Sequence, residues 1–296
     1  MNDTLELDRL EVAVTRALAT GDHDDLHVLG YGEITCVLAW PDRDGPWACK
    51  RLPAFDSEAR LVAFRTVFDG YLDALRAAGV SVHDSRIEAL PLDRGEWIAY
   101  CVQPTLAPST LAPARLREAG PEDGRRLLAT IAEHIGQVTT AQLGFDAHLS
   151  NWAAGPEGTL VYLDVTTPLQ RDAAGRDLLD TELFLASLPA VTRPPVRRFL
   201  TASILDPYFQ PRAVALDLLA NLRREDLAEW IPVGVEVVNA RLGTDIDVDE
   251  VHAHYRRDAR LWSALQRLRR IDRWWQRQVR RRTYPFLLPE TVDRRL

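Results

Sequence analysis

The 296-residue chain has a net charge of −7, with 46% hydrophobic and 27% charged residues, the balance of an ordinary globular protein able to bury a core. It lacks any apolar run of about 18 residues, which excludes a helical membrane span, and its acidic first ten residues lack the layout of a signal peptide. The 3 cysteines (Cys36, Cys49 and Cys101) follow no metal-ligand spacing, so they read as reduced thiols in a cytoplasmic protein.

Residues 4–19 place Leu5, Leu7, Leu10, Val12, Val14 and Leu18 in a loosely helical pattern, stopped by Gly21. Two β-rich runs follow, 27–30 and 34–40, on either side of Gly30-Tyr31-Gly32. Two glycines so placed let a backbone approach a phosphate closely, although the same pair also serves a plain hairpin. No GxxxxGK[ST] run exists, which excludes a Walker-type loop.

The strand at 47–52 carries Lys50, the single lysine among 36 basic residues. Arginine replaces lysine freely on a solvated surface, but not where a compact ammonium must reach one point. The alternating Ala48-Cys49-Lys50 pattern fits a strand lysine that grips phosphates. A helix over 56–78 follows, with Leu61, Phe64, Phe68, Leu72 and Leu75 on its apolar face, Glu58 as a partner for Lys50 and Gly79 as its stop. Glu58 equally suits a helix N-terminus. Strands at 87–90 and 97–102 complete five.

Beyond Pro104, Pro108 and Pro113 the pattern turns helical, with a helix over 121–143. Then come Gly144-Phe145-Asp146-Ala147-His148-Leu149-Ser150-Asn151, a short hairpin, and Asp164 at the end of its second strand. Phosphoryl transfer needs a carboxylate near the attacking hydroxyl and oxygen ligands for Mg²⁺, which takes few from the protein. Asp146, Asn151 and Asp164 supply that set. His148 reads as a stabiliser of its loop.

This order of motifs resembles the aminoglycoside phosphotransferase and choline/homoserine-kinase-like branch of the protein-kinase-like superfamily, in a divergent actinobacterial-type subgroup. The loop 146–151 is similar to that branch's Asp-Leu-His-Pro-x-Asn. The resemblance covers residues 26–165 and implies an α+β, two-lobed fold. Residues 1–103 would form a five-stranded antiparallel lobe with one helix, and 104–296 a mainly helical lobe. It further implies ATP and Mg²⁺ as cofactors, Asp146 as catalytic base, and Asn151 and Asp164 as metal ligands. Gly30, Gly32 and Lys50 would meet the phosphates, with the backbone at Cys101–Gln103 meeting the adenine. Two departures stand out: Gly144-Phe145-Asp146 replaces His-Gly-Asp, and Val165-Thr166-Thr167 follows Asp164.

Asp217, Asn221 and Glu225 lie four apart on one helix face, suited either to an acceptor or to neighbouring helices. Residues 251–296 hold thirteen arginines against four acids. There Leu261, Leu265, Leu268, Trp275 and Val279 recur at helical spacing. Either this stripe packs on the lobe, or the segment is a basic wall for an anionic or peptide partner. No recognised nucleic-acid fold accompanies it. The leading expectation is phosphotransfer to a hydroxyl of a small molecule, such as an antibiotic or biosynthetic intermediate. A nucleotide-binding pseudokinase, a kinase of peptide Ser/Thr hydroxyls, and a nucleotidyl transferase stay open.

Overall fold

The structure, a computed structural model, describes residues 5–31, 36–185, 204–281, 284 and 286. Helix α1 (Leu7–Thr20) ends where Gly21 adopts φ 83° and returns its N–H to the Ala17 carbonyl, a left-handed stop that glycine makes without strain. Strands β1 (His27–Tyr31), β2 (Cys36–Trp40) and β3 (Trp47–Arg51) lead to helix α2 (Glu58–Ala77). Strands β4 (Ser81–Val82), β5 (Arg86–Pro91) and β6 (Trp97–Pro104) follow. The main sheet has the order β1-β2-β3-β6-β5 with every neighbour antiparallel, as the sequence leads one to expect.

Period-2 alternation sorts that sheet into two faces. Cys49, Ile98, Tyr100 and Val102 pack with Leu10, Val14 and Leu18 of α1. Cys101 joins the opposite core, which runs from α2 into the helical lobe. On the α1 face, Arg51 grips both carboxylate oxygens of Glu11 at 2.9 and 2.7 Å, and Tyr100 Oη donates to the same group at 2.5 Å. A buried charge pair so completely hydrogen-bonded fixes how α1 sits on the sheet.

The second lobe contains α3 (Ala112–Glu118), α4 (Pro121–Val138), the hairpin β7 (Trp152–Ala154) and β8 (Leu160–Tyr162), and a single turn α5 (Glu182–Leu185). Helices α6 (Pro211–Arg224), α7 (Ile231–Leu242) and α8 (Val248–Gln278) complete the described part. Helix α4 stops at Val138, five residues before the expected end, because the Thr140 hydroxyl takes the Gln142 and Leu143 N–H groups into a turn. Gly124 lets α4 approach the Trp230 ring, which a Cβ would meet at 2.1 Å. A two-residue strand with no sequence signal, β4, pairs in parallel with β8 and joins the lobes.

The C-terminal stripe is corrected by one step of helical phase. Helix α8 buries Val251, Tyr255, Ala259, Trp262, Gln266 and Arg269, whereas Leu261, Leu268, Trp275 and Val279 are 68%, 45%, 48% and 47% exposed. Long polar side chains can cover core with their stems, so Gln266 and Arg269 continue an inward row that hydropathy alone assigns elsewhere. Among the described residues no helix is long and apolar enough to cross a membrane.

Candidate active site

Lys50 lies in register with Val37 of β2 and Cys101 of β6, on the face turned toward the second lobe. Its Nζ donates to Asp164 Oδ1 at 2.9 Å, a contact 114 positions long in sequence. Asp164 follows β8 directly. There the Leu163 N–H bonds the Asn151 carbonyl at 2.9 Å, so the hairpin brings Asn151 and Asp164 side by side. Thr166 donates both its N–H and its hydroxyl to Asp164 Oδ1, at 3.3 and 2.9 Å. Burial works against the Asp164 charge, but Lys50 and the Thr166 donors outweigh it and hold the carboxyl below its ordinary pKa.

The loop before β7 is held from several sides. Tyr71 Oη of α2 donates to the Gly144 carbonyl at 3.2 Å, and Tyr162 Oη donates to the Asp146 carbonyl at 2.9 Å. Phe145, which stands where the resembled branch has glycine, is fully buried. It lies 5.8 and 5.0 Å from the rings of Trp152 and Tyr162. Aromatic packing therefore supports a loop that lacks the branch's histidine.

Asp146 Oδ1 accepts the His148 N–H at 3.2 Å and lies 3.3 Å from His148 Nδ1. His148 Nε2 is 2.9 Å from Asp217 Oδ2, and His254 Nε2 is 3.1 Å from Asp217 Oδ1. Arg257 reaches His254 Nδ1 at 3.0 Å. A guanidinium only donates, so Nδ1 of His254 accepts and its Nε2–H must donate to Asp217. Burial alone would lower the pKa of His148, but the carboxylates of Asp146 and Asp217 on either side push it up to about 10. His148 is therefore an imidazolium set between two carboxylates, donating from Nε2 to Asp217 and lying beside Asp146 as a charge. Burial raises the Asp146 carboxyl above its usual range, with His148 opposing and Asp217 and Asp164 adding to the rise. Asp217, with two imidazoles on it, is held far below that range despite burial.

The proposed residues thus fall into two groups. Asp146, Asn151 and Asp164 belong to one loop-and-hairpin assembly, and Lys50 meets it from the sheet. Among the described residues, Glu58, Cys101, Gln103 and Gly30 take other places. Glu58, expected to hold Lys50, is exposed in the first turn of α2 and makes no ion pair among the described residues; Asp164 takes that place. Cys101 is 2% exposed and paired on both sides in mid-sheet, by Lys50 and Ile87. Burial pushes its thiol up to about 12, that of an inert group. The Gln103 side chain donates to Ser85 Oγ at 2.9 Å and to the Leu163 carbonyl at 2.8 Å, stitching the two lobes. Gly30 lies at a bulge of β1 with open space where a Cβ would be, and Gly32 lies outside the described residues.

Sequence reasoning missed Tyr71 and His254. It left Asp217 and Asn221 between two readings, and the structure gives both to the loop: Asn221 Oδ1 accepts the Leu149 N–H at 2.8 Å. The four-residue spacing was the available signal for that pair, and nothing local marked the other two.

Among the described residues no cluster of three His, Cys, Asp or Glu side chains could hold a metal. A Mg²⁺ ion asks less of the protein, and two oxygens here are unspent. Asn151 gives its Nδ2 to the Asp146 carbonyl at 3.2 Å, which leaves Oδ1 without a hydrogen bond among the described residues, and Asp164 spends only Oδ1. The donor set fits a hard cation shared with phosphates.

The model of a family of unknown function (DUF6206) matches residues 9–273. The chain belongs to that family. No curated protein matches it. Similar solved structures include WaaP in complex with acyl carrier protein, at 19% identity and TM-score 0.34, covering 77% of this chain and 93% of that one. The GDP and kanamycin complex of APH(2″)-IIia has 13% identity and TM-score 0.36, with 80% and 100% covered. A MAP kinase from Leishmania major has 12% identity and TM-score 0.31, with 83% and 90% covered. Superpositions at these scores are partial; the lobes of this DUF6206 member are defined by its own sheet order and by the Lys50–Asp164 contact.

Proposed function

We propose that the protein is an ATP- and Mg²⁺-dependent phosphotransferase acting on a hydroxyl of a small molecule. The observation that carries the reading is the 2.9 Å contact between the sole lysine and Asp164, with Asn151 and Asp146 on the same loop and hairpin. Asn151 Oδ1 and the second oxygen of Asp164 are the atoms that would hold the metal, and the Lys50 ammonium would share its charge with the phosphates. When bound, Mg-ATP supplies the γ-phosphoryl group, which passes to the acceptor oxygen as its bond to the departing ADP breaks.

Asp146 takes the acceptor's proton. Its Oδ1 is engaged by His148, while Oδ2 has no partner among the described residues and is the open basic atom. Burial raises the basicity of this carboxyl, which suits a base working near neutral pH. His148 holds it in place and limits that rise.

The test is ADP release from Mg-ATP by the full chain with a panel of small alcohols, run beside Asp146→Asn. Acceptor-dependent release that vanishes in the variant supports the reading. Mg-ATP stabilisation of the fold without release for any acceptor would replace it with a nucleotide-binding, non-catalytic role.

A further inference from the structure

A cleft enclosing about 400 Å³, open solvent included, lies beside His148 and is walled by α6, α8 and the segment before α6. Asp217, Asn221 and Arg224 line it from α6, Tyr255 and Asp258 from α8, and Tyr208 from the preceding turn. The spacing of 217, 221 and 224 puts these three on one helical face. The cleft therefore abuts His148, the side chain that touches the base.

Which groups in the cleft are already satisfied decides what it can bind. Both Asp217 oxygens are taken by His148 and His254, and Asp258 has an interaction of its own. Asp217 is therefore spent, and Asp258 is engaged. Two donors are not. Asn221 is 3% exposed, and its Oδ1 is fixed by the Leu149 N–H, yet its Nδ2 has no hydrogen-bond partner. The Leu149 contact settles the amide orientation, since a flipped amide would set N–H against N–H. Arg224, partly buried at the end of α6, makes no hydrogen bond or ion pair among the described residues. Its charge is nevertheless felt at His148. A buried unpaired donor and an unpaired guanidinium together call for oxygen acceptors and negative charge.

We infer that this cleft is the acceptor site and that it takes an anionic alcohol, a small hydroxyl-bearing molecule with a carboxylate or phosphate group. The anionic group pairs with Arg224, an oxygen of the ligand reaches Asn221 Nδ2, and Tyr208 and Tyr255 flank the carbon skeleton. A polycationic acceptor meets a like charge at Arg224. The hydroxyl's part in this inference rests on the phosphotransferase reading; the anion's binding does not.

The experiment is calorimetric titration of the full chain with 3-phosphoglycerate, glycerate, glycerol and 3-aminopropane-1,2-diol, which differ chiefly in charge. The parent is expected to bind at least one of the two anions saturably and neither of the others. Arg224→Gln should weaken that binding about tenfold or more, and Lys50→Met should leave it unchanged. Arg224 is only partly buried, so its replacement should fold, and thermal melting of the variant checks this. Arg224→Glu should abolish anion binding. No saturable anion binding, equal binding by Arg224→Gln, or loss in Lys50→Met, which would place the anion among the nucleotide phosphate ligands, overturns the inference. Mg-ATP stabilisation is measured on the same samples. Anion binding through Arg224 without stabilisation by Mg-ATP sinks the phosphotransferase reading and keeps the cleft; the reverse sinks the cleft assignment alone.

Discussion

Asp146 and Asp164 are two half-buried carboxyls at opposite ends of the same loop and hairpin, and their environments drive them apart. Asp164 meets a lysine ammonium and two threonine donors and is held ionised. Asp146 meets only an imidazolium that is shared with Asp217, and burial prevails. One position is thus prepared to keep a fixed negative charge and the other to accept a proton. Similar residue types acquire different work from what is set beside them.

The largest expected effects come from breaking either side of that contrast. Lys50→Met should cut turnover by about a thousandfold or more, since it removes the charge facing the phosphates. It should also cost about 2 kcal/mol of stability by leaving Asp164 without its cation; acceptor-dependent ADP release and urea unfolding read the two losses. Asp146→Asn should lower turnover between about a hundredfold and ten-thousandfold while Mg-ATP affinity stays close to the parent's. Equal losses of Mg-ATP affinity in both variants would mean that Asp146 serves the nucleotide as Lys50 does, not the acceptor.

A smaller effect sharpens the comparison through His148. Its pKa is raised by folding to about 10, so the stability it contributes is complete below the ordinary histidine range and is lost as pH climbs toward 10. Asp217 works in the opposite sense: its pKa is lowered, so its contribution is present at neutral pH and disappears on acidification. His148→Asn should therefore be less stable than the parent at pH 7, with the gap narrowing as pH rises toward 10. Urea melts across that range check it; a gap that does not change with pH would mean that His148 is neutral in the fold. The smallest effect is expected outside the site. Tyr100→Phe removes one donor from Glu11 and should cost about 1 kcal/mol with turnover unaltered.

How much of this was readable beforehand follows from where each partner lies in the chain. The sheet, with Lys50 facing inward, was legible because period-2 alternation and a unique lysine are local signals. So was the loop through Asn151 to Asp164, because one short hairpin spans it. Asp164's grip on Lys50 was not legible, since it joins residues from different lobes, and the choice of Glu58 followed the kinase pattern over the packing. Asp217 announced a face without its target, and His254 could not be chosen before α8 was placed against α6. The phase of α8 failed for a related reason: buried Arg269 and Gln266 look like surface in any hydropathy profile.

The bond between Lys50 and Asp164 also has a practical side. A protein with one lysine offers an amine-directed acylating reagent a single side chain, here with 21% of its side-chain surface accessible. Mass spectrometry of the labelled chain would report on that one side chain, separately from the N-terminal amine, and a protease specific for lysine would cleave the backbone there alone. Shielding of Lys50 from the reagent, titrated against added nucleotide, turns an accident of composition into a built-in occupancy gauge.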